Sequence, residues 1–170
     1  MAPRVPVLDI EPFTEDEHSD AAREFIDDLR AVCHDHGFFS LVGHGVATAT
    51  NEHLQTLARR FFALPDADRL AIANIHSPQF RGYTPVGHEF TRGHPDRRDQ
   101  LDIGHELPAG RLGPDDPAWL RLRGPNLWPA ALPELRPAVE AWTDAMEGLG
   151  RRLCRALARA LGQPADRFDA

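Results

Sequence analysis

Hydrophobic positions near the amino terminus predict two short strands around one amphipathic helix. Residues 5–10 are mostly apolar and indicate a strand, which Pro6 restricts to an edge or terminal position. Residues 22–33 place their apolar side chains on one stripe of a 3.6-residue period, and Gly37 ends that helix. Residues 38–43 form a short apolar run between glycines. We expect this run to be a buried strand.

The same period predicts further helices downstream. One helix begins at about Thr50, carries its apolar stripe to Phe62 and ends at Leu64-Pro65. A shorter helix is expected over 66–73. The longest apolar stripe runs from Leu135 to Leu161, and Gly162 supplies its end. At about 1.5 Å per residue such a helix spans roughly 40 Å, a length that normally supports a larger body.

The segment between these helices has a different texture. Residues 77–133 are rich in proline and glycine, which predicts ordered loops with short strands or turns, not a hydrophobic core. The fold class expected is therefore α+β: a mainly helical chain with a few short strands and a long C-terminal helix. We expect one domain over 1–170, divided into a strand and helix part (1–76), the loop region (77–133) and the long helix (134–162).

Composition and charge exclude several classes of function. The chain has 170 residues, of which 42% are hydrophobic, and its net charge is −7. All 19 basic residues are arginine, so Schiff-base and P-loop lysines are excluded, and an acidic chain without a basic run disfavours nucleic acid as a partner. No apolar run suits a membrane span or a signal peptide, which predicts a cytoplasmic chain without a membrane partner. Cys33 and Cys154 are too few for a disulfide scaffold and are expected to be buried.

Nine histidines raise the hypothesis of a metal site. Two H-x-D triplets, His18-Ser19-Asp20 and His94-Pro95-Asp96, each supply two ligands of a 2-His-1-carboxylate iron site. A distal third histidine is formally available only to the first triplet, as His76. His105 lies too near the second triplet to come from a separate strand. Ser19 or Asp20 is equally explained as the N-cap of the following helix.

A zinc site built from His34, His36 and His44 is a second alternative, although no cysteine pair supports it. A histidine at the end of a helix also interacts favourably with the helix dipole, which is a sufficient structural reason for His34. Asp99, Asp102 and Glu106 lie close together in sequence and are equally well explained as solvated turn residues. The residues alone therefore give no complete catalytic or metal site.

Six segments, taken together and in order, resemble a known family. They are Val5-Pro6-Val7-Leu8-Asp9-Ile10, Gly37 to Val46, Arg60-Phe61-Phe62-Ala63-Leu64-Pro65, Arg81-Gly82-Tyr83-Thr84-Pro85 with Gly87 and Glu89, Asp102-Ile103-Gly104 with Glu106-Leu107-Pro108, and Gly124-Pro125-Asn126-Leu127-Trp128-Pro129. In this order they resemble the N-terminal half of the isopenicillin N synthase-like Fe(II)/2-oxoglutarate-dependent oxygenases. The resemblance extends from about Val5 to Asp169.

The resemblance implies a helical cap that normally packs on a jelly-roll domain, the double-stranded β-helix. In the family that domain carries the iron ligands and the arginine that binds 2-oxoglutarate. We therefore expect an N-terminal domain or fragment without its catalytic core, with no catalytic residue, metal or cofactor of its own. Fe(II) and 2-oxoglutarate belong to the intact family, whose members couple decarboxylation of 2-oxoglutarate to hydroxylation, desaturation or ring closure of a small molecule.

The resemblance also implies that Arg81 and Tyr83 border the substrate pocket. Arg81 would pair with a substrate carboxylate, and Tyr83 would stack or donate a hydrogen bond. The alternative is that Arg81 anchors its loop and Tyr83 packs in the seam between domains. The expected partners are a jelly-roll domain, in cis or in trans as in a split oxygenase, and a small-molecule substrate. The apolar face of the long helix also predicts self-association. A small histidine-based metalloprotein remains the other alternative.

Overall fold

The computed structural model describes residues 4–110, 113 and 115–169. The helices are α1 (Glu11–Glu15), α2 (Asp20–Asp35), α3 (Thr48–Phe62), α4 (Asp66–Leu70) and α5 (Leu135–Ala160). The strands are β1 (Val7–Asp9), β2 (Ser40–Val42), β3 (Gly82–Thr84), β4 (Phe90–Thr91), β5 (His94–Pro95) and β6 (Gln100–Asp102). Met1, Ala2, Pro3, Arg111, Leu112, Pro114 and Ala170 belong to the predicted 1–170 domain but lie outside the described residues.

The described residues form two compact units. The first comprises residues 4–47 together with 144–169, and the second comprises residues 48–143. Each unit has its own cluster of buried apolar side chains. The mixture of helices with a few short strands agrees with the α+β class expected from the sequence. The single domain over 1–170 stays a prediction.

The first unit is built on a parallel strand pair. β1 and β2 pair with Leu8 opposite Leu41, and the chain between them forms α1 and α2, as a parallel pair requires. Leu8 and Ile10 are buried against the apolar face of α2, together with Phe25 and Leu29. The helical stripe predicted over 22–33 is therefore the face that packs in this core.

Two predictions of burial in the first unit are wrong. The strand predicted to be buried, β2, has an exposed Ser40, a half-buried Leu41 and an exposed Val42. In the described residues β2 pairs with β1 alone, so only Leu41 on one face reaches the core. Cys33 is half-buried and Cys154 is exposed, because each lies at the border of the apolar stripe of its helix rather than at its centre.

Ser19 caps the amino terminus of α2, as one of the two sequence interpretations predicts. Its Oγ accepts a hydrogen bond from the Ala22 N–H at 3.1 Å. Because this bond satisfies a backbone donor that the helix itself leaves unpaired, Ser19→Ala should lower the free energy of unfolding by about 1 kcal/mol. Ser19→Asp keeps the acceptor and should restore it. Urea unfolding followed by circular dichroism tests this. An unchanged free energy of unfolding in Ser19→Ala, or an equal loss in both variants, would contradict the stabilising role of the hydrogen bond.

The second unit contains the core that the sequence did not predict. Leu57 and Phe61 of α3 are buried against Tyr83 of β3 and against Leu132. Residues 77–133 form loops with short strands, as predicted, but the expectation that they contain no hydrophobic core is wrong. β3 and β6 pair as a short antiparallel ribbon whose apolar side chains pack on α3, although too few residues are involved to show a period in the sequence.

The long helix is close to its predicted bounds. Gly162, with φ +68°, allows the Gln163 N–H to bond the Ala158 carbonyl, which ends α5 in a Schellman motif. The predicted stripe from Leu135 to Leu161 is buried or half-buried except at its end, where Leu161 is 65% exposed. Self-association through this face stays a prediction. None of the helices in the described chain combines the length and apolarity needed to cross a bilayer.

Candidate functional site

An apolar cavity of about 430 Å³ lies in the second unit. Helices α3 and α5 and the residues of β6 and just after it form its wall. The lining residues are Leu54, Ala58, Phe61, Phe62, Leu101, Ile103, Gly104, His105, Leu135, Val139, Trp142 and Thr143. Only His105 and Thr143 bring polar side chains to this lining. A cavity of this size and character is suited to apolar groups of a ligand or of a protein segment.

Tyr83 stands behind one wall of the cavity. Its ring meets the cavity-lining Phe61 edge-on, with 5.9 Å between ring centres. Its hydroxyl donates a hydrogen bond to the Asp99 carboxylate at 3.1 Å, and the Arg69 guanidinium reaches the same oxygen at 3.2 Å. Burial raises the pKa of Tyr83, and the bond to Asp99 raises it further. Tyr83 is thus a neutral core residue whose polar end is held by a charged pair.

Arg81 stands behind another part of the wall and anchors its own loop. Its Nη1 donates to the Gln79 carbonyl at 3.0 Å, and its Nη2 donates to the Leu122 carbonyl at 2.9 Å. The guanidinium lies against Gly104, where a Cβ atom would come within 2.6 Å of the Arg81 Cζ. Gly104 itself lines the cavity, so the flat cation supports that wall from outside.

A third set of contacts fixes the segment that follows β6. The Glu106 Oε2 atom accepts hydrogen bonds from the Asn126 Nδ2 at 2.9 Å, the Asn126 backbone N–H at 3.3 Å and the Trp128 Nε1 at 2.9 Å. Asn126 also bonds both the N–H and the carbonyl of Gly104. Burial raises the pKa of Glu106, but the bonds from Asn126 and Trp128 outweigh it, so the pKa lies below its ordinary value.

The structure thus brings Arg81 and Tyr83 to the same cavity without placing either in its lining. Their contact with a substrate stays a prediction. Asp99 and Glu106, for which solvated turns were an open interpretation, each hold a neighbouring segment, while Asp102 accepts from the Gln100 amide at 3.0 Å. The cavity itself was missed. Its available signal was the apolar side chains two residues apart at Leu101 and Ile103.

The candidate metal ligands do not converge. Within the described residues, no three His, Cys, Asp or Glu side chains form a group that could hold a metal ion. His34 instead contacts its neighbour Asp35 at 2.7 Å, and the His44 Nδ1 accepts the Val46 N–H. In the two H-x-D triplets, Asp20 pairs with Arg23 and Asp96 lies 3.6 Å from Arg98. The two H-x-D triplets therefore do not form a 2-His-1-carboxylate iron site among the described residues. The alternative of a zinc site at His34, His36 and His44 gains no support either.

Comparison with known proteins decides the family. A family model described as 'non-haem dioxygenase in morphine synthesis N-terminal' matches residues 5–131. The chain belongs to the non-haem dioxygenase N-terminal family. The resemblance carried by the six sequence segments is thereby confirmed at the level of an N-terminal domain of the Fe(II)/2-oxoglutarate oxygenases.

Relatives and structural neighbours of this dioxygenase N-terminal chain agree. The 2-oxoglutarate-dependent dioxygenase frbJ of Dothideomycetidae sp. (strain 11243) is 34% identical over 97% of the chain and 43% of its own length. The homoarginine-6-hydroxylase 2-ODD-233 of Oryza sativa subsp. japonica is 30% identical over 97% of the chain and 51% of its own length. A 2OG-Fe(II) oxygenase family protein of Caulobacter crescentus shares the fold, with a TM-score of 0.76 at 24% identity, over 97% of the chain and 51% of that protein.

The dioxygenase N-terminal chain therefore spans about half the length of the curated relatives that it matches. The other half of each of these relatives lies outside the stretch that matches this chain. The match therefore assigns this chain to a family. It does not assign to the chain the activity of a whole oxygenase.

Proposed function

We propose that this chain is the N-terminal part of a non-haem Fe(II)/2-oxoglutarate-dependent oxygenase that acts on a small molecule. The observation that carries the proposal is the match, over 97% of the chain, to proteins named as 2-oxoglutarate-dependent dioxygenases and homoarginine hydroxylases. The reaction of the whole enzyme would be a hydroxylation, desaturation or ring closure coupled to the consumption of 2-oxoglutarate. The whole enzyme would work in the cytoplasm.

The role of the 170 residues in that enzyme is structural and substrate-facing. Iron and 2-oxoglutarate would bind to a catalytic jelly-roll domain, supplied in cis or in trans, as the family resemblance implies. The chain on its own would be inactive. Arg81 and Tyr83 would position the cavity wall that faces the substrate, because Arg81 packs on Gly104 and Tyr83 packs on Phe61. Gly104 and Phe61 both line the cavity.

The test has a genetic and a biochemical arm. Sequencing the source DNA beyond codon 170, in every frame, should reveal an H-x-D followed at a distance by His and by Arg-x-Ser, the residues that the family resemblance assigns to the catalytic domain. The purified chain, loaded anaerobically with Fe(II), should hold no stoichiometric iron and consume no 2-oxoglutarate. Stoichiometric iron that is lost in His18→Ala or His34→Ala variants would overturn the proposal in favour of a metalloprotein.

A further inference from the structure

The connection between β2 and α3 closes on itself through a histidine side chain. The Nδ1 atom of His44 accepts a hydrogen bond from the Val46 N–H at 3.1 Å. Gly43 and Gly45, on either side of His44, have φ +64° and +73°, the left-handed region that lets the chain fold back within two residues. A ring nitrogen that accepts a hydrogen bond carries no proton, so the proton of the closed state lies on Nε2 and His44 is neutral.

Charged groups from three elements lie beside this connection. The Nη2 atom of Arg152, on α5, donates to the His44 carbonyl at 3.2 Å, and the Arg152 Nε is buried without a hydrogen-bond partner among the described residues. A Cβ atom at Gly43 would overlap the Asp9 carboxylate and come within 2.9 Å of the Glu11 Cβ. The Asp9 carboxylate itself accepts the Glu11 N–H at 3.0 Å. Arg152 therefore disfavours a second positive charge at His44, whereas Asp9 and Glu11 favour one.

We propose that His44 is a proton-operated latch for residues 43–47, closed when the imidazole is neutral and open when it is protonated. The proton and the Val46 N–H compete for one lone pair on Nδ1, because an imidazolium has two N–H donors and no acceptor. Protonation sets a donor against a donor, and the bond between His44 and Val46 breaks. The neighbouring charges shift the pH of opening within the range of about pH 5 to 8 in which histidines titrate, but they do not remove the competition.

The strand pair next to the latch is held by groups that do not titrate. The Ile10 N–H bonds the Val42 carbonyl at 3.1 Å, and the Ser40 N–H bonds the Pro6 carbonyl at 2.8 Å. Opening of the latch therefore loosens residues 43–47 and leaves β1 and β2 paired. The latch goes beyond the proposed function and does not depend on it, since it makes the approach to α3 sensitive to acid whether or not an oxygenase is assembled.

Hydrogen exchange at the Val46 amide of the 170-residue chain tests the latch. After correction for the intrinsic exchange rate, protection of this amide should fall about three- to tenfold from pH 8 to about pH 5, the equivalent of one neutral hydrogen bond. The fall should share its midpoint with the titration of the His44 ring, followed by NMR. The Ile10 amide is the internal control, because its carbonyl partner does not titrate, and its protection should stay constant.

Two variants separate the latch from other effects of acid. The Oδ1 atom of an asparagine accepts the N–H two residues further on and does not titrate, so His44→Asn should protect the Val46 amide equally at both pH values. His44→Ala should leave this amide unprotected at both. Constant protection in wild type would overturn the latch, and so would an equal fall in His44→Asn, since another group would then control the segment. If a variant does not fold, midpoints of the His44 titration and of Val46 exchange that fail to coincide in wild type overturn the latch by themselves.

Discussion

Replacing Phe61 with alanine should lower the free energy of unfolding of the second unit by about 3–5 kcal/mol. Phe61 has no exposed surface and is among the largest fully buried side chains. Its ring meets both Phe62 and Tyr83 edge-on, at 5.2 and 5.9 Å between centres. The truncation removes the transfer free energy of the ring and both aromatic contacts, and it leaves a space that the rigid pair of helix and ribbon cannot close.

The neighbouring phenylalanine is a matched control. Phe62 is 38% exposed, so Phe62→Ala removes the same atoms from a position that water already reaches. Its expected loss is about 1 kcal/mol, close to that of an ordinary partly buried side chain. Urea unfolding followed through the fluorescence of Trp128 and Trp142 reports on this unit. Similar losses in the two variants would contradict the assignment of Phe61 as the centre of the core.

Glu106→Gln should lower the free energy of unfolding by about 2–3 kcal/mol at neutral pH, because hydrogen bonds to a charged group are worth more than neutral ones. A single oxygen of Glu106 accepts bonds from Asn126 and Trp128, and the glutamine amide cannot reproduce that charge. Glu52→Gln, at an exposed position of α3, is the control and should change the stability little.

The effect of Glu106 should depend on pH in a defined direction. Because the folded protein holds the pKa of Glu106 below its ordinary value of 4.5, the ionised carboxylate stabilises the fold above that value. The contribution is lost as the pH falls through the lowered pKa. The difference between wild type and Glu106→Gln should thus be constant near neutrality and shrink below about pH 4.5. A difference that grows on acidification would show that folding raises the pKa of Glu106 instead of lowering it.

The sequence predicted elements whose side-chain pattern repeats over several turns. The stripes of α2 and α5 are long enough for the helical period to stand out, and their ends carry Ser19 and Gly162, whose capping chemistry is local. The six sequence segments indicated the family, which the helical pattern alone does not reveal. Short strands lack such repetition, so the sequence did not predict that Leu101 and Tyr83 take part in a core.

The candidate site depends on contacts between distant positions, which no local pattern records. Glu106 meets Asn126 across 20 residues, and Arg81 meets the carbonyl of Leu122 across 41. Every residue offers a carbonyl, so nothing in the sequence marks Leu122 as the partner of Arg81. For that reason the sequence left two interpretations of Arg81 open, a substrate carboxylate and an anchor for its loop. The structure shows the anchoring bonds, and contact with a substrate stays a prediction.

The packing of Arg81 on Gly104 makes the loop of Arg81 sensitive to the residue at position 104. Any side chain at position 104 would occupy the space of the guanidinium, and without the guanidinium the cavity wall would lose its support. The guanidinium is the far end of a flexible side chain, so it would move aside, and its bonds to the Gln79 and Leu122 carbonyls would be lost. A substitution at position 104 would therefore be felt through Arg81, at the loop that these bonds hold in place.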